Sequence, residues 1–496
     1  MAAGALVLFS FVLLGGVVSP YITSLWLGLP VAILGLLAAF VIYALIAQGW
    51  DSPARTAAVA VGTTVAIVGA AWLCVAALGF AIDIVRLGQT GEGWPRNEAV
   101  LHQRQAALDE WDKLGAPTVA VTVSGGGYRA AAFHAGVLSL LEEAGIPIRL
   151  LSTVSGGSIV GGAYAIGWTP QAFIARLKER PRIVDDFMNP FAAYSLLLGA
   201  AGTGDVLNYH LSRVFFGLTG IEDTGPPLIV INTTEFRSGE RISFWPGDGR
   251  PVLNKPLKLG TAVAASAAFP GAFSPIKVDG ISYYMDGGVR ENLGLEGLEQ
   301  FLNERRAAPT PRILLISDAT AGLTVPYVDQ RPSLSAAAFR AMDILYADHY
   351  QEEIDRYMEA GVAIEAKRRA EAKKQDQIFF GIPDLRPTPV PADTFWRRRD
   401  GDVRVFLFSL SRQVTADEDV SALLRYAAAL DTLEELSEDD LEIAFWAGRW
   451  IANSQLESLC GSVGPGRCRS VGKIMMPSTR LQELARQVLM RRGLEQ

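Results

Sequence analysis

Thr118-Val-Ala-Val-Thr-Val-Ser-Gly-Gly-Gly-Tyr-Arg-Ala130 begins with six residues that read as a buried strand, apolar and β-branched with no charge among them. The glycine cluster Gly125-Gly126-Gly127 follows at once and opens onto an apolar-periodic stretch from Ala130 to Ala144. That stretch predicts a helix, stopped by Gly145 and Pro147. The next strand is Ile148 to Val154, and Ser155-Gly156-Gly157 turns it into another helix. Strand, tight turn and helix thus occur twice in succession. Apolar runs at 228–232, 241–245 and 312–317 supply further strands, so the pattern predicts an α/β layered domain with a mainly parallel sheet.

Upstream, a polar helix-like segment covers about 95–113, and before it the composition changes completely. No charged residue occurs from Met1 to Trp50, and none between Arg55 and Asp83. A helix needs about 20 apolar residues to cross a hydrocarbon core, so 22–47 and 56–82 read as transmembrane helices. The shorter stretch 4–19 ends at Pro20 and reads as a third span; a secretory signal should have a positive n-region, and Met1-Ala2-Ala3-Gly4 offers only the terminal amine. Arg86, Arg96 and Arg104 follow the last span, whereas Arg55 is balanced by Asp51. The positive-inside tendency then places the remainder in the cytoplasm, as part of an integral membrane protein.

Downstream of about 325 the pattern changes again. A long charged helix-forming stretch covers 334–375, a Pro-rich irregular one covers 379–400, and a strand near 403–410 returns to the sheet before a mostly helical end. The expected layout is an anchor at 1–90, a catalytic core at 91–325 and a helical elaboration at 326–496.

The net charge of -7 and the absence of a basic footprint argue against nucleic-acid binding, and no zinc or other metal pattern is present. Of three cysteines, Cys74 lies in an expected span. Cys460 and Cys468 flank a Gly-rich turn; an exported chain would allow a disulfide there, but free thiols fit the cytoplasmic placement better.

Ser155 sits at a strand-to-helix turn in Thr153-Val154-Ser155-Gly156-Gly157, which has the form of a nucleophile elbow. Such a turn wants small residues two positions to either side. Gly157 meets this need and Thr153 does not. Ser158 is a rival whose flanks, Gly156 and Val160, fit less well, and the plain alternative is that a serine before a helix is only an N-cap. The glycine cluster suits an oxyanion loop, because acyl transfer develops charge that backbone N–H groups at a helix start stabilise. The natural donors are Gly126 and Gly127, joined by Gly156. Gly125-x-Gly127-x-x-Ala130 also matches a loose dinucleotide fingerprint, but Glu142 and Glu143 fall within the helix, and the next strand ends in Ser155 rather than an acid. Asp286, in Tyr284-Met-Asp-Gly-Gly-Val-Arg-Glu-Asn292, is the candidate base for the serine. Its plain reading is an Asp-Gly turn.

Ser-Gly-Gly-Gly-Tyr-Arg-Ala130, then Ser155-Gly-Gly after a strand, then Asp286-Gly-Gly, in this order, resemble the patatin-like phospholipases and the related cytosolic group IV phospholipases. Asn232-Thr-Thr-Glu-Phe-Arg-Ser-Gly-Glu240 and Ala265-Ser-Ala-Ala-Phe-Pro-Gly-Ala-Phe-Ser-Pro275 support the resemblance, which covers about 118–320. It implies a layered α/β/α domain and a histidine-free Ser-Asp dyad, with Ser155 as nucleophile and Asp286 as general base, and no cofactor. It also implies that Arg129 meets a substrate phosphate or orders the oxyanion loop, a salt bridge being the plain alternative. Ser124 and Ala130 stand where patatins usually have Asp and Gly.

The expected function is hydrolysis of phospholipid or other lipid acyl esters at the bilayer that anchors the chain. An acyltransferase using the same acyl-enzyme and a non-catalytic membrane scaffold are the alternatives. A Ser-His-Asp triad has little to draw on: His349 lies in a charged helical stretch and His134 on the helix after the glycine loop. Lys367-Arg-Arg369 with Lys373-Lys374, and Phe395-Trp-Arg-Arg-Arg399, suit a lipid surface but read equally as solvated faces.

Overall fold

A computed structural model describes residues 93–179, 183–187, 196, 201–247, 256–278, 282–305, 311–320, 388–389, 403–410, 415–430 and 436–491. The expected spans at 4–19, 22–47 and 56–82, the helical stretch 334–375, both basic clusters and His349 lie outside them. Among the described residues no helix is long and apolar enough to cross a membrane. The chain divides into two compact units, one of residues 1–90 and 183–206, the other of 91–182 and 207–496. The first is described only in part, with a short helix at Ile183–Phe187. The second holds every candidate site residue.

In the second unit, helix α1 (Glu98–Lys113) leads to β1 (Val119–Val123), α2 (Gly127–Glu143), β2 (Leu150–Val154), α3 (Gly156–Ala165) and α4 (Pro170–Glu179). Then come β3 (Leu228–Glu235), β4 (Arg241–Phe244), α5 (Leu259–Ser266), β5 (Ile276–Val278), β6 (Ser282–Asp286), α6 (Leu295–Glu304) and β7 (Ile313–Asp318). The last elements are β8 (Thr388–Pro389), β9 (Arg404–Ser409), α7 (Glu418–Ala428), α8 (Glu438–Ser454), α9 (Leu456–Val463) and α10 (Thr479–Arg491). The sheet runs β5-β6-β3-β2-β1-β7-β9-β8, with β4 paired to β3. Its centre, β3-β2-β1-β7-β9, is parallel, and the pairings of β4, β5, β6 and β8 are antiparallel. The short run Ile276–Val278 and the strand ending in Asp286 carry no long apolar signal, which is why the apolar runs alone do not give them.

Strands buried on both faces explain the continuous apolar runs. Ala120, Leu150, Val230, Leu314 and Val405 form one core with Leu295, Leu298 and Phe301 of α6. The alternate residues, such as Val121, Leu151 and Ile229, are also fully buried, on the side where α2, α3 and α5 pack. Helix α8 covers α2 in turn, at backbone distance: a Cβ on Gly136 would lie 2.1 Å from the Phe445 carbonyl oxygen, and one on Gly448 2.0 Å from that of Phe133. Ser437 starts α8 with a capping box closed by Asp440.

Cys460 and Cys468 are joined by a disulfide, in place of the free thiols expected. The turn at Gly464-Pro465-Gly466, with positive φ at both glycines, brings the two cysteines together.

Candidate active site

The site forms at the carboxyl ends of the central parallel strands, where the chain leaves the sheet and polar groups gather. Ser155 follows β2 directly and takes φ 51 and ψ -121, the only described non-glycine residue with positive φ. A side chain held in that region carries backbone strain, and surrounding bonds hold it there. The Ser155 N–H donates to Ser266 Oγ at 2.9 Å, and Ser266 Oγ donates to the Asn232 carbonyl oxygen at 2.6 Å. The Asn232 side chain donates to Ser152 Oγ at 2.9 Å and to the Thr153 carbonyl at 3.0 Å, so β3 and α5 together brace the elbow from below.

Ser155 Oγ donates to Asp286 Oδ2 at 2.6 Å. The carboxylate ends β6, and its other oxygen accepts the Gly288 N–H at 2.7 Å. Asp286 is only 1% exposed. Burial drives its pKa up to about 7, while the hydrogen bonds from Ser155 and Gly288 pull the other way. The residue therefore titrates where a general base at neutral pH is most useful.

The glycine loop lies against the elbow. A Cβ on Gly156 would stand 2.0 Å from the Gly127 carbonyl oxygen and 2.8 Å from its nitrogen, so backbone meets backbone there. The N–H groups of Gly126, Gly127 and Gly156 donate to no described residue. They stand at the starts of α2 and α3, whose N-terminal dipoles favour an anion. Gly125 N–H is held by the carbonyl and side-chain oxygens of Asn292, both at 3.2 Å, which ties the loop to the Asp286 segment.

Other residues singled out in the sequence fall elsewhere. Ser158 is fully buried and bonded to Thr153 Oγ1 at 2.9 Å and Ser266 Oγ at 2.8 Å, part of the bracing. His134 lies between Ser317 Oγ (2.7 Å) and the Ser124 carbonyl (3.0 Å); burial, with the charge of Arg129, holds its pKa down at about 3, against the Ser124 contact. Arg129 is 4% exposed and donates to the Leu430 carbonyl at 2.8 Å, just past α7. Ser266, Asn232 and Asn292 are the site residues that residue-type reasoning missed. Asn232 and Ser266 lie in the blocks quoted for the resemblance and Asn292 ends the segment quoted for Asp286, but their types signal nothing without the fold.

An α/β domain with a strained serine after a parallel strand, hydrogen-bonded to a buried aspartate beside a glycine loop, has the form of a serine acyl-hydrolase domain. Residues 121–298 match the family model described as patatin-like phospholipase, and this segment is a patatin-like phospholipase domain. The human patatin-like phospholipase domain-containing protein 6 is 30% identical over 178 residues, which are 36% of this chain and 12% of that protein. Lysophospholipase NTE1 of Cryptococcus neoformans is 29% identical over 196 residues, 38% of this chain and 11% of that one. The chain thus spans only about an eighth of these relatives' length. Human GIVD cytosolic phospholipase A2 superposes over 74% of this chain and 67% of its own, with TM-score 0.40 and 11% identity.

Proposed function

We propose that the chain is a membrane-anchored serine hydrolase of lipid acyl esters that works through a Ser155–Asp286 dyad. The observation that carries the reading is the 2.6 Å bond from Ser155 Oγ to Asp286 Oδ2, made by a serine at φ 51. Similarity to proteins named as phospholipases and lysophospholipases supports the substrate class.

In this mechanism Asp286 takes the Ser155 proton as Oγ attacks the ester carbonyl. The tetrahedral oxyanion is held by the N–H groups of Gly126, Gly127 and Gly156, and its collapse expels the alcohol, which takes the proton from Asp286. Water, with Asp286 again as base, then frees the fatty acid. Arg129, buried behind the loop on the Leu430 carbonyl, orders the loop in this scheme.

The charge-free stretches within 1–82 support anchoring in the bilayer. Arg86, Arg96 and Arg104 favour the cytoplasmic side for the domain; the Cys460–Cys468 bond counts against it, since disulfides persist in oxidising compartments. Lipid profiling of cells and purified protein tests the reading: wild type should release fatty acid from a lysophospholipid or phospholipid, and Ser155→Ala should not. Equal release by both would refute it. An acyltransferase would pass the chain to an added lysolipid instead of to water.

A further inference from the structure

At the opposite end of the sheet from Ser155, a cleft of about 390 Å³ is lined by Arg312, Arg404 and Arg467, with Thr118 and Ser462. Arg312 immediately precedes β7 and Arg404 begins β9, adjacent parallel strands in which Ile313 is the register partner of Arg404. The Arg404 N–H donates to the Arg312 carbonyl at 2.9 Å, so the two arginines neighbour each other along the backbone at the strands' amino ends, and both line the cleft. The third comes from the loop that the Cys460–Cys468 bond closes. Arg467 is fixed across the cleft because its two terminal nitrogens donate to the Val463 carbonyl at 2.8 Å and the Leu114 carbonyl at 2.9 Å.

No carboxylate lies among the lining residues, and none of the three arginines forms an ion pair with a described residue. In a chain of net charge -7, three cations with no acid among the lining residues concentrate a positive field in one concavity. Guanidinium groups suit phosphate oxygens through paired N–H donors. A strand such as β7 spans about 20 Å, so a ligand here stays clear of the catalytic serine.

We infer that this cleft binds a phosphate monoester or diphosphate group, carried either by an anionic lipid head group or by a soluble phosphate ester. The site is separate from the acyl-hydrolase centre and does not rest on that reading.

Calorimetric titration of the full chain in detergent with inorganic pyrophosphate tests it. Wild type should bind, with affinity falling as salt rises, and the doubly substituted Arg312→Gln, Arg404→Gln protein should bind at least about tenfold more weakly, the scale of one lost charge-assisted contact. Both substituted side chains are exposed, so the fold should survive, as the unchanged thermal melt would show. Comparing a short-chain phosphatidic acid with glycerol phosphate separates the sources: tighter binding of the lipid identifies a head group, equal binding a soluble ester. Absence of wild-type binding to all three probes, or equal binding by the folded double variant, would overturn the inference.

Discussion

Thr153 and Gly161 are sterically complementary: the Thr153 methyl carbon stands 2.5 Å from where a Cβ on Gly161 would be. An elbow of the usual pattern places glycine at the position of Thr153 to let the following helix come close. Here the missing side chain is on the helix instead, one strand-to-helix contact further on, and Thr153 Oγ1 donates to the Val230 carbonyl at 3.2 Å. The departure from the motif is thus compensated within α3.

Gly161→Ala should therefore destabilise the domain by about 1–3 kcal/mol, the usual scale of overpacking. Thr153→Gly in the same chain should restore most of the loss, because it empties the contested space. Chemical denaturation of the four proteins of the cycle measures the coupling, and simple additivity would argue against the complementarity.

Ser266→Ala removes the acceptor of the Ser155 N–H and the donor to the Asn232 carbonyl. A lost buried hydrogen bond of this kind costs about 1–3 kcal/mol of stability. The elbow should also lose its set, so fluorophosphonate labelling of Ser155 should slow by about tenfold or more even in protein that remains folded, each tenfold being about 1.4 kcal/mol in the barrier. Unchanged labelling would remove Ser266 from the positioning network.

The raised pKa of Asp286 gives two pH dependences with definite signs. Activity needs the carboxylate, so kcat/KM should rise with pH through a midpoint near 7 and then level off. Stability runs the other way. Below the unfolded value both states hold the proton and nothing is lost; between that value and about 7 only the unfolded chain releases it, so stability falls as pH rises and is fully reduced above the folded pKa. Asp286→Asn, which cannot ionise, should consequently melt above wild type by a margin that grows from acidic to alkaline buffer. A margin independent of pH would mean that Asp286 is not held as the neutral acid.

Asn292→Ala should loosen the glycine loop, since its side-chain oxygen accepts the Gly125 N–H and its amide donates to Thr320 Oγ1 at 3.2 Å. Oxyanion stabilisation depends on preorganised donors. The expected result is a lower kcat with KM little changed, measured on a chromogenic short-chain ester. A pure KM effect would place Asn292 in substrate binding instead.

Much of this arrangement can be read from residue types because local chemistry dictates it. Two buried parallel strands followed by glycines mark both strand-to-helix turns, and the Ser155 elbow and glycine loop fall where those patterns end. Asp286 is legible only through its neighbours, since an Asp-Gly turn is common and β6 is too short to announce itself. The braces are not legible at all. Ser266, Asn232 and Asn292 are ordinary small polar residues far apart in the chain; the pairing of β3 with β2 and the packing of α5 give Asn232 and Ser266 their partners, and the approach of the Asp286 segment to the glycine loop gives Asn292 its own. The disulfide is not legible either, because the charges beside the expected spans speak only to the compartment, whereas closure depends on the turn between the two cysteines.

The central claim is the pairing of Ser155 with Asp286, and peptide mapping after reaction with a lipid-like fluorophosphonate tests it most directly. A phosphonyl group should be found on Ser155 in wild type, none in Ser155→Ala, and in folded Asp286→Asn the labelling rate should fall by about a hundredfold or more, the scale of general-base assistance. An adduct on another serine, or labelling of Ser155 at the wild-type rate without the Asp286 carboxylate, would contradict it.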